Sequence, residues 1–137
     1  MTYRFFVMAF IVLLSAGCQK TIQHAQENAL IDAITSGQWK MTSFTKNGKP
    51  VTTDFAPYLF DFQKNNTVDA YNNNTIEKTG FWQGDITTQT ITSTFTNAGY
   101  PLELLNGVWK ITKSTWTSVD AKQTVNNELM VLRLDKQ

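Results

Sequence analysis

Between Trp39 and Leu134 the chain alternates apolar and polar positions in short runs. Tyr58, Phe60 and Phe62 interleave with Leu59, Asp61 and Gln63, and Ile91, Ser93 and Phe95 interleave with Thr90, Thr92 and Thr94. A period of two gives each run one apolar or small face and one polar face, as in a half-buried strand. Breaks containing Asn and Gly recur about every 8 to 12 residues, the spacing of an all-β sandwich or barrel. The pattern predicts eight strands, near 38–45, 58–63, 67–72, 76–84, 88–96, 107–113, 115–121 and 128–135.

The breaks carry turn chemistry. Lys64-Asn65-Asn66 and Asn72-Asn73-Asn74 place asparagine where a tight turn needs positive φ. The longer insert Pro101 to Gly107 opens on proline and closes on Asn-Gly, which predicts one or two helical turns between strands. Ahead of the β region the period changes. Ala25, Ala29, Leu30, Ala33 and Ile34 recur at three- and four-residue spacings, so a short helix is expected over about 25–34, ended by Ser36-Gly37. Gln19 to about Asn28 is polar and reads as a tether.

The first residues follow a different logic. Arg4 precedes an almost wholly apolar run from Phe5 to Leu14, which is too short to span a bilayer at 1.5 Å per residue. Leu14-Ser15-Ala16-Gly17-Cys18 then resembles a bacterial lipobox, in which the cysteine is acylated and everything before it is removed. That resemblance implies a signal peptide at 1–17, a lipidated tether and short helix at 18–36, a domain at 37–137, and a cell-envelope, outer-membrane location. Gln19 and Lys20 supply no acidic signal for retention at the inner membrane. Two or more acyl chains anchor a protein stably without help from basic residues, so membrane partnership would run through lipid on Cys18.

Removal of the first 17 residues leaves about 120, one small domain. Its basic and acidic side chains then balance. Nucleic-acid binding needs clustered Lys and Arg and is not expected. The single cysteine leaves no internal disulfide or thiolate metal site once it carries lipid, and the single histidine, His24, lies in the tether, far from any strand. Neither a Ser-His-Asp arrangement nor a Gly-rich phosphate loop is present. The carboxylates fall mostly at turns or on the threonine-rich face. No enzyme activity, metal or cofactor is expected.

A short echo runs through the chain: Gly37-Gln38-Trp39-Lys40-Met41-Thr42 and Gly107-Val108-Trp109-Lys110-Ile111-Thr112, with Gly80-Phe81-Trp82 repeating the Gly-x-Trp spacing. Each predicts a strand that begins at a tight turn and sends an indole inward. Gly37-Gln38-Trp39 resembles the opening of the first lipocalin strand. With Asp54-Phe55, Tyr58-x-Phe60-x-Phe62, Thr67-Val68, Gly80-x-Trp82, Pro101-Leu102-x-x-Leu105, Trp109-x-Ile111 and the closing Asp135-Lys136, residues 37–136 are similar to small bacterial lipoproteins described as lipocalin-like. The resemblance implies an all-β, eight-stranded antiparallel, calycin-type barrel with a short N-terminal helix, and it assigns no activity.

Trp39, Phe60, Phe62, Trp82, Phe95 and Trp109 are the expected interior and ligand-lining residues, and Trp116 is the candidate exposed aromatic. Eight strands enclose an interior that side chains either just fill or leave open to one small ligand. Two functions stay open on that ground. One is a lipid-anchored protein that binds a small hydrophobic molecule, and the other is an accessory lipoprotein with a filled barrel that docks on an envelope protein. The free volume inside the barrel discriminates between them.

Overall fold

The computed structural model describes residues 15–137, with side chains from residue 22 onward. Most of the expected signal segment and the Cys18 side chain lie outside the described residues. One helix, α1 (Ser15–Thr35), precedes nine strands: β1 (Trp39–Lys46), β2 (Lys49–Pro50), β3 (Tyr58–Phe62), β4 (Thr67–Asn72), β5 (Thr75–Asp85), β6 (Thr90–Thr94), β7 (Gly107–Ser114), β8 (Ser118–Val125) and β9 (Glu128–Lys136). Two 3-10 turns, Thr52–Phe55 and Leu102–Leu105, stand before β3 and β7. The second occupies the insert for which helical turns were expected.

All pairings are antiparallel and join neighbours in sequence order, apart from β1, which pairs with β2, β3 and β9. The two-residue β2 only completes a hairpin with the end of β1, so the remaining eight strands form the closed barrel. The β1–β9 seam runs from Trp39↔Lys136 to Lys46↔Met130, whereas β1 and β3 share the single registered pair Trp39↔Phe60. Beyond that pair the chain closes the gap by other means. Val51 N–H donates to Phe44 O at 2.8 Å, and Phe44 N–H donates to Thr52 Oγ1 at 2.9 Å. Bulges at Thr42 in β1, Glu77 in β5 and Thr112 in β7 bend the strands around the closure.

The expected strands are present, with two differences. The seventh begins at Ser118, because Thr115 and Ser118 form a turn in which the Ser118 N–H donates to Thr115 Oγ1 at 3.0 Å. The hairpin to β2 was not expected. It turns on Asn47 and Gly48, both at positive φ (50° and 77°), the Asn-Gly pairing favoured in type I′ turns. Asn66, Asn73 and Asn74 also adopt positive φ, as their turn chemistry predicts.

The helix differs more. It spans 21 residues and absorbs the stretch read as a polar tether. Its residues from Ile22 to Ala29 are all exposed, while Leu30 and Ile31 are half-buried and Ile34 is buried. The sequence pattern located α1 over about 25–34 and missed its extension back to Ser15.

The barrel interior and its two ends as the candidate functional site

The six residues predicted to fill the interior do so unequally. Trp39, Phe60, Trp82, Phe95 and Trp109 are buried and Phe62 is half-buried. Phe60, Phe62, Phe95 and Trp109 line a cavity of about 60 Å³, together with Met41, Val68, Leu132 and others; Trp39 and Trp82 do not border it. Ser93 carries the one hydroxyl in that lining. This volume is well below the roughly 150 Å³ that admits benzene in an apolar core.

Aromatic packing explains why so little space remains. Phe44 stacks on Phe55 at 5.1 Å between centroids and meets Trp109 edge-on at 6.0 Å; Phe60 meets Phe95 at 6.5 Å and Phe62 meets Trp82 at 5.7 Å. Gly80 makes room for one of these rings. A Cβ at that position would lie 2.7 Å from Phe95 Cδ1 and 2.7 Å from Thr94 O, so any larger residue would displace the phenyl ring or the neighbouring strand.

Both ends of the barrel use the Gly-x-Trp echo in the same way. At one end α1 stops at Thr35, Gly37 turns with φ 81°, and the Trp39 indole N–H donates to Ile34 O at 2.8 Å. At the other end the 3-10 turn Leu102–Leu105 stops, Gly107 turns with φ 122°, and the Trp109 indole N–H donates to Leu105 O at 2.8 Å. A helical segment leaves its last carbonyls unpaired. Each indole satisfies one of them while its rings enter the core. The third copy differs: Gly80 has no positive φ, and Trp82 donates to Gln63 O at 3.0 Å.

Further groups complete each closure. On the α1 side Lys136 Nζ donates to Ala33 O at 2.8 Å and to Ser36 Oγ at 2.9 Å, and lies 4.9 Å from the Trp39 ring centroid. A cation at a helix C-terminus also meets the negative end of the helix dipole. Asp32 pairs with Lys64 of the β3–β4 turn at 2.8 Å, an exposed contact of little energetic weight. On the opposite side the buried Gln123 donates to Asn106 O at 3.1 Å, and Asn106 Oδ1 accepts from Phe95 N–H at 2.6 Å, so a side chain extends the β6–β7 ladder. Tyr100 and Asp54 join the two 3-10 loops by a hydrogen bond. Asp135-Lys136 was part of the resemblance, but the sequence pointed to no partner for Lys136 or Gln123, because those partners lie 103 and 17 residues away in the chain. The Asn47-Gly48 hairpin, by contrast, carried a local signal.

The ionisable groups are engaged in the structure of the wall. Tyr58 is buried, and that burial, reinforced by its hydrogen bond to Glu77 Oε2 at 2.6 Å and by the charge of Glu77, pushes its phenol up to about 12. Arg133 holds the Asp135 carboxyl below the usual range by hydrogen bonding, helped by Thr42. Asp69 is buried on the outer face and accepts from Gln63 at 2.8 Å and Thr79 at 2.5 Å. Among the described residues no group of three His, Cys, Asp or Glu side chains is arranged to hold a metal ion. None of those residues forms a helix long and apolar enough to cross a membrane.

Outside the barrel, Trp116 is exposed, as expected, and stands in the β7–β8 turn beside α1. Phe81 on β5 and Val108 on β7 are exposed on the outer wall, flanking Thr92 and Thr94 of β6.

No protein-family model and no curated protein sequence matches the chain. Among solved structures, a duf4847 family protein from Bacteroides vulgatus is similar, with a TM-score of 0.56 and 16% sequence identity over 79% of this chain and 99% of that one. At that identity the likeness extends to the barrel fold and no further.

Proposed function

We propose that the chain is an accessory lipoprotein of the cell envelope, tethered through Cys18 to the outer membrane, whose filled barrel docks on an envelope protein. The observation that carries this reading is the interior volume of about 60 Å³, too small for an acyl chain or a drug-sized ligand. The lipobox-like Leu14-to-Cys18 stretch supports the tether. The reading includes no catalytic step, cofactor or nucleic acid. Docking would fall to the outer wall, where Phe81 and Val108 stand on either side of β6.

Two measurements on the full chain, expressed in a bacterium and extracted with detergent, test the proposal. Intact mass should show acylated Cys18 as the N-terminus, and photocrosslinkers placed at Phe81 and Val108 should capture a defined envelope protein. Native mass spectrometry should find no retained fatty acid. A retained fatty acid, or its saturable binding at micromolar concentration, overturns the filled-barrel reading.

A second reading, a binding protein for a small hydrophobic molecule, is favoured by the lining, which is apolar save for Ser93. The Phe95→Ala variant separates the two. If the wild-type interior is functionally solid, benzene-sized probes should bind only the variant, whose enlarged void admits them. Equal binding by the wild type favours the second reading.

A further inference from the structure

Three of the four tryptophan indoles donate to backbone carbonyls inside the fold, and Trp116 donates to nothing among the described residues. Its side chain is 61% exposed, the same as Phe81 and more than any other large apolar residue described. It borders a groove of about 290 Å³ whose far wall is Ala29 and Ala33 of α1. Ile22, Ala25, Ala29 and Ala33 follow one another at spacings of three, four and four, so they form one stripe along the helix. Ile22 is 57% exposed.

Ile22, Ala25 and Ala29 of this stripe belong to the part of α1 that lacks support from the barrel, whereas Ala33 is half-buried. An isolated helix shorter than about 12 to 15 residues is marginal in water, and most helices in proteins are stabilised by burying an apolar face. From Ile22 to Ala29 no residue of α1 is buried, and the apolar ones there share the stripe. Something outside the barrel would have to cover it.

The course of the chain says what. Moving from the barrel toward the N-terminus, α1 leads directly to Cys18, eleven residues before Ala29 and about 16 Å away at 1.5 Å per residue. Trp116 and the stripe therefore lie on the end of the molecule from which the chain runs to the lipid anchor. An indole with an apolar body and an unsatisfied N–H is the side chain most at home at a bilayer interface, where rings meet acyl chains and the N–H meets water or headgroups.

We infer that this end of the barrel seats on the bilayer surface, with Trp116 and the Ile22–Ala25–Ala29 stripe at the boundary of headgroups and acyl chains. The inference rests on the proposed tether at Cys18. The seat adds to acylation by fixing orientation: the 3-10 end and the outer wall then face away from the membrane, toward a partner.

The test reconstitutes the full-length gene product, purified from membranes, into phosphatidylethanolamine and phosphatidylglycerol vesicles with and without brominated acyl chains. Intact mass on the same sample reads the state of Cys18. With Cys18 acylated, tryptophan emission should shift to shorter wavelength on reconstitution, and brominated chains should quench a fraction that disappears in Trp116→Phe. Ala29→Glu should reduce the quenching while the protein still floats with the vesicles. Acylated protein that floats but shows no Trp116-dependent quenching overturns the seat and leaves the tether standing. An unmodified Cys18 overturns the tether and removes the seat with it. Crosslinking of Trp116 to a second copy or to another protein, with quenching absent, assigns the stripe to that partner and also overturns the lipid surface.

Discussion

The two ends of the barrel open with the same three-residue device and are finished differently. Around Trp109 the 3-10 turns sink Phe55, Leu102 and Leu105 into the core, and Gln123 and Asn106 tie the turns to the strands. Around Trp39 a long helix lies across the opening with only Ile34 buried, Leu30 and Ile31 half-buried, and the partly exposed Phe62, Ile91 and Leu134 beneath it. A Gly-x-Trp start thus solves a local problem, the pairing of a helix-end carbonyl and the filling of a rim. How tightly an end seals depends on what the preceding helical segment places over it.

The indoles give the largest expected effect and ask whether the device is equivalent at both ends. Trp39→Ala and Trp109→Ala should each lower stability by about 3 to 5 kcal/mol in a denaturant titration, the usual cost of deleting a buried large aromatic. Trp116→Ala should change it by about 0.5 kcal/mol or less, as at an exposed site. If Trp39→Ala costs no more than Trp116→Ala, the helix end is not part of the cooperative core and the equivalence fails.

A second pair isolates the difference in sealing. Leu105 is 7% exposed beneath the 3-10 end, and Leu30 is half-buried beside Gly84 and Trp82 at the helix end. Leu105→Ala should cost about 2 to 5 kcal/mol and Leu30→Ala about 1 kcal/mol, since less apolar area is lost from a site that water already reaches. Equal costs would mean that α1 packs as firmly as the 3-10 turns.

Alkaline unfolding probes the 3-10 end alone. Burial is the main cause of the raised Tyr58 phenol and Glu77 adds to it, so the fold favours the neutral form. With an unfolded value near 10 and a folded value of about 12, this contribution is whole below pH 10 and is lost as pH rises toward 12. The loss should amount to about 3 kcal/mol, read as the difference in alkaline stability between wild type and Tyr58→Phe. Parallel curves for the two proteins would show that Tyr58 ionises as freely in the fold as outside it.

What the sequence made legible divides along the same line. Strands such as Tyr58–Phe62 and Thr90–Thr94 announced themselves because their period of two is local, and the buried indoles because each follows its own turn. The hairpin at Asn47-Gly48 was equally local and was passed over because its second strand has two residues. The start of α1 was hidden for a different reason. Gln19 to His24 carries one large apolar side chain, Ile22, too few to show a helical period, so the helix ahead of Ala25 is not written as an amphipathic pattern. The closures themselves were beyond reach, since Lys136 meets Ala33 across 103 residues and Gln123 meets Asn106 across 17. The cavity follows from those closures and from the ring geometry. Period and composition bound it only to the range between solid and one-ligand barrels.

The smallest effect tests whether the helix end can loosen without the barrel. Lys136 contributes two hydrogen bonds to the α1 terminus and a cation over Trp39, while its stem packs on Gly37, where a Cβ would sit 3.4 Å from the lysine Cγ and Cδ. Lys136→Met keeps an unbranched stem of similar length and removes the ammonium, so the loss is confined to the polar and dipolar contacts. These sum to about 1 kcal/mol for a partly exposed site. Hydrogen exchange should localise the change: amides in the last turns of α1 should exchange several-fold faster, while those of β7 and β8 next to Gln123 stay at the wild-type rate. That outcome would make α1 an independently opening unit at the end from which the chain runs to Cys18. A uniform acceleration across β7, β8 and α1 would instead mean that the two ends open together, and the contrast between them would reduce to packing density alone.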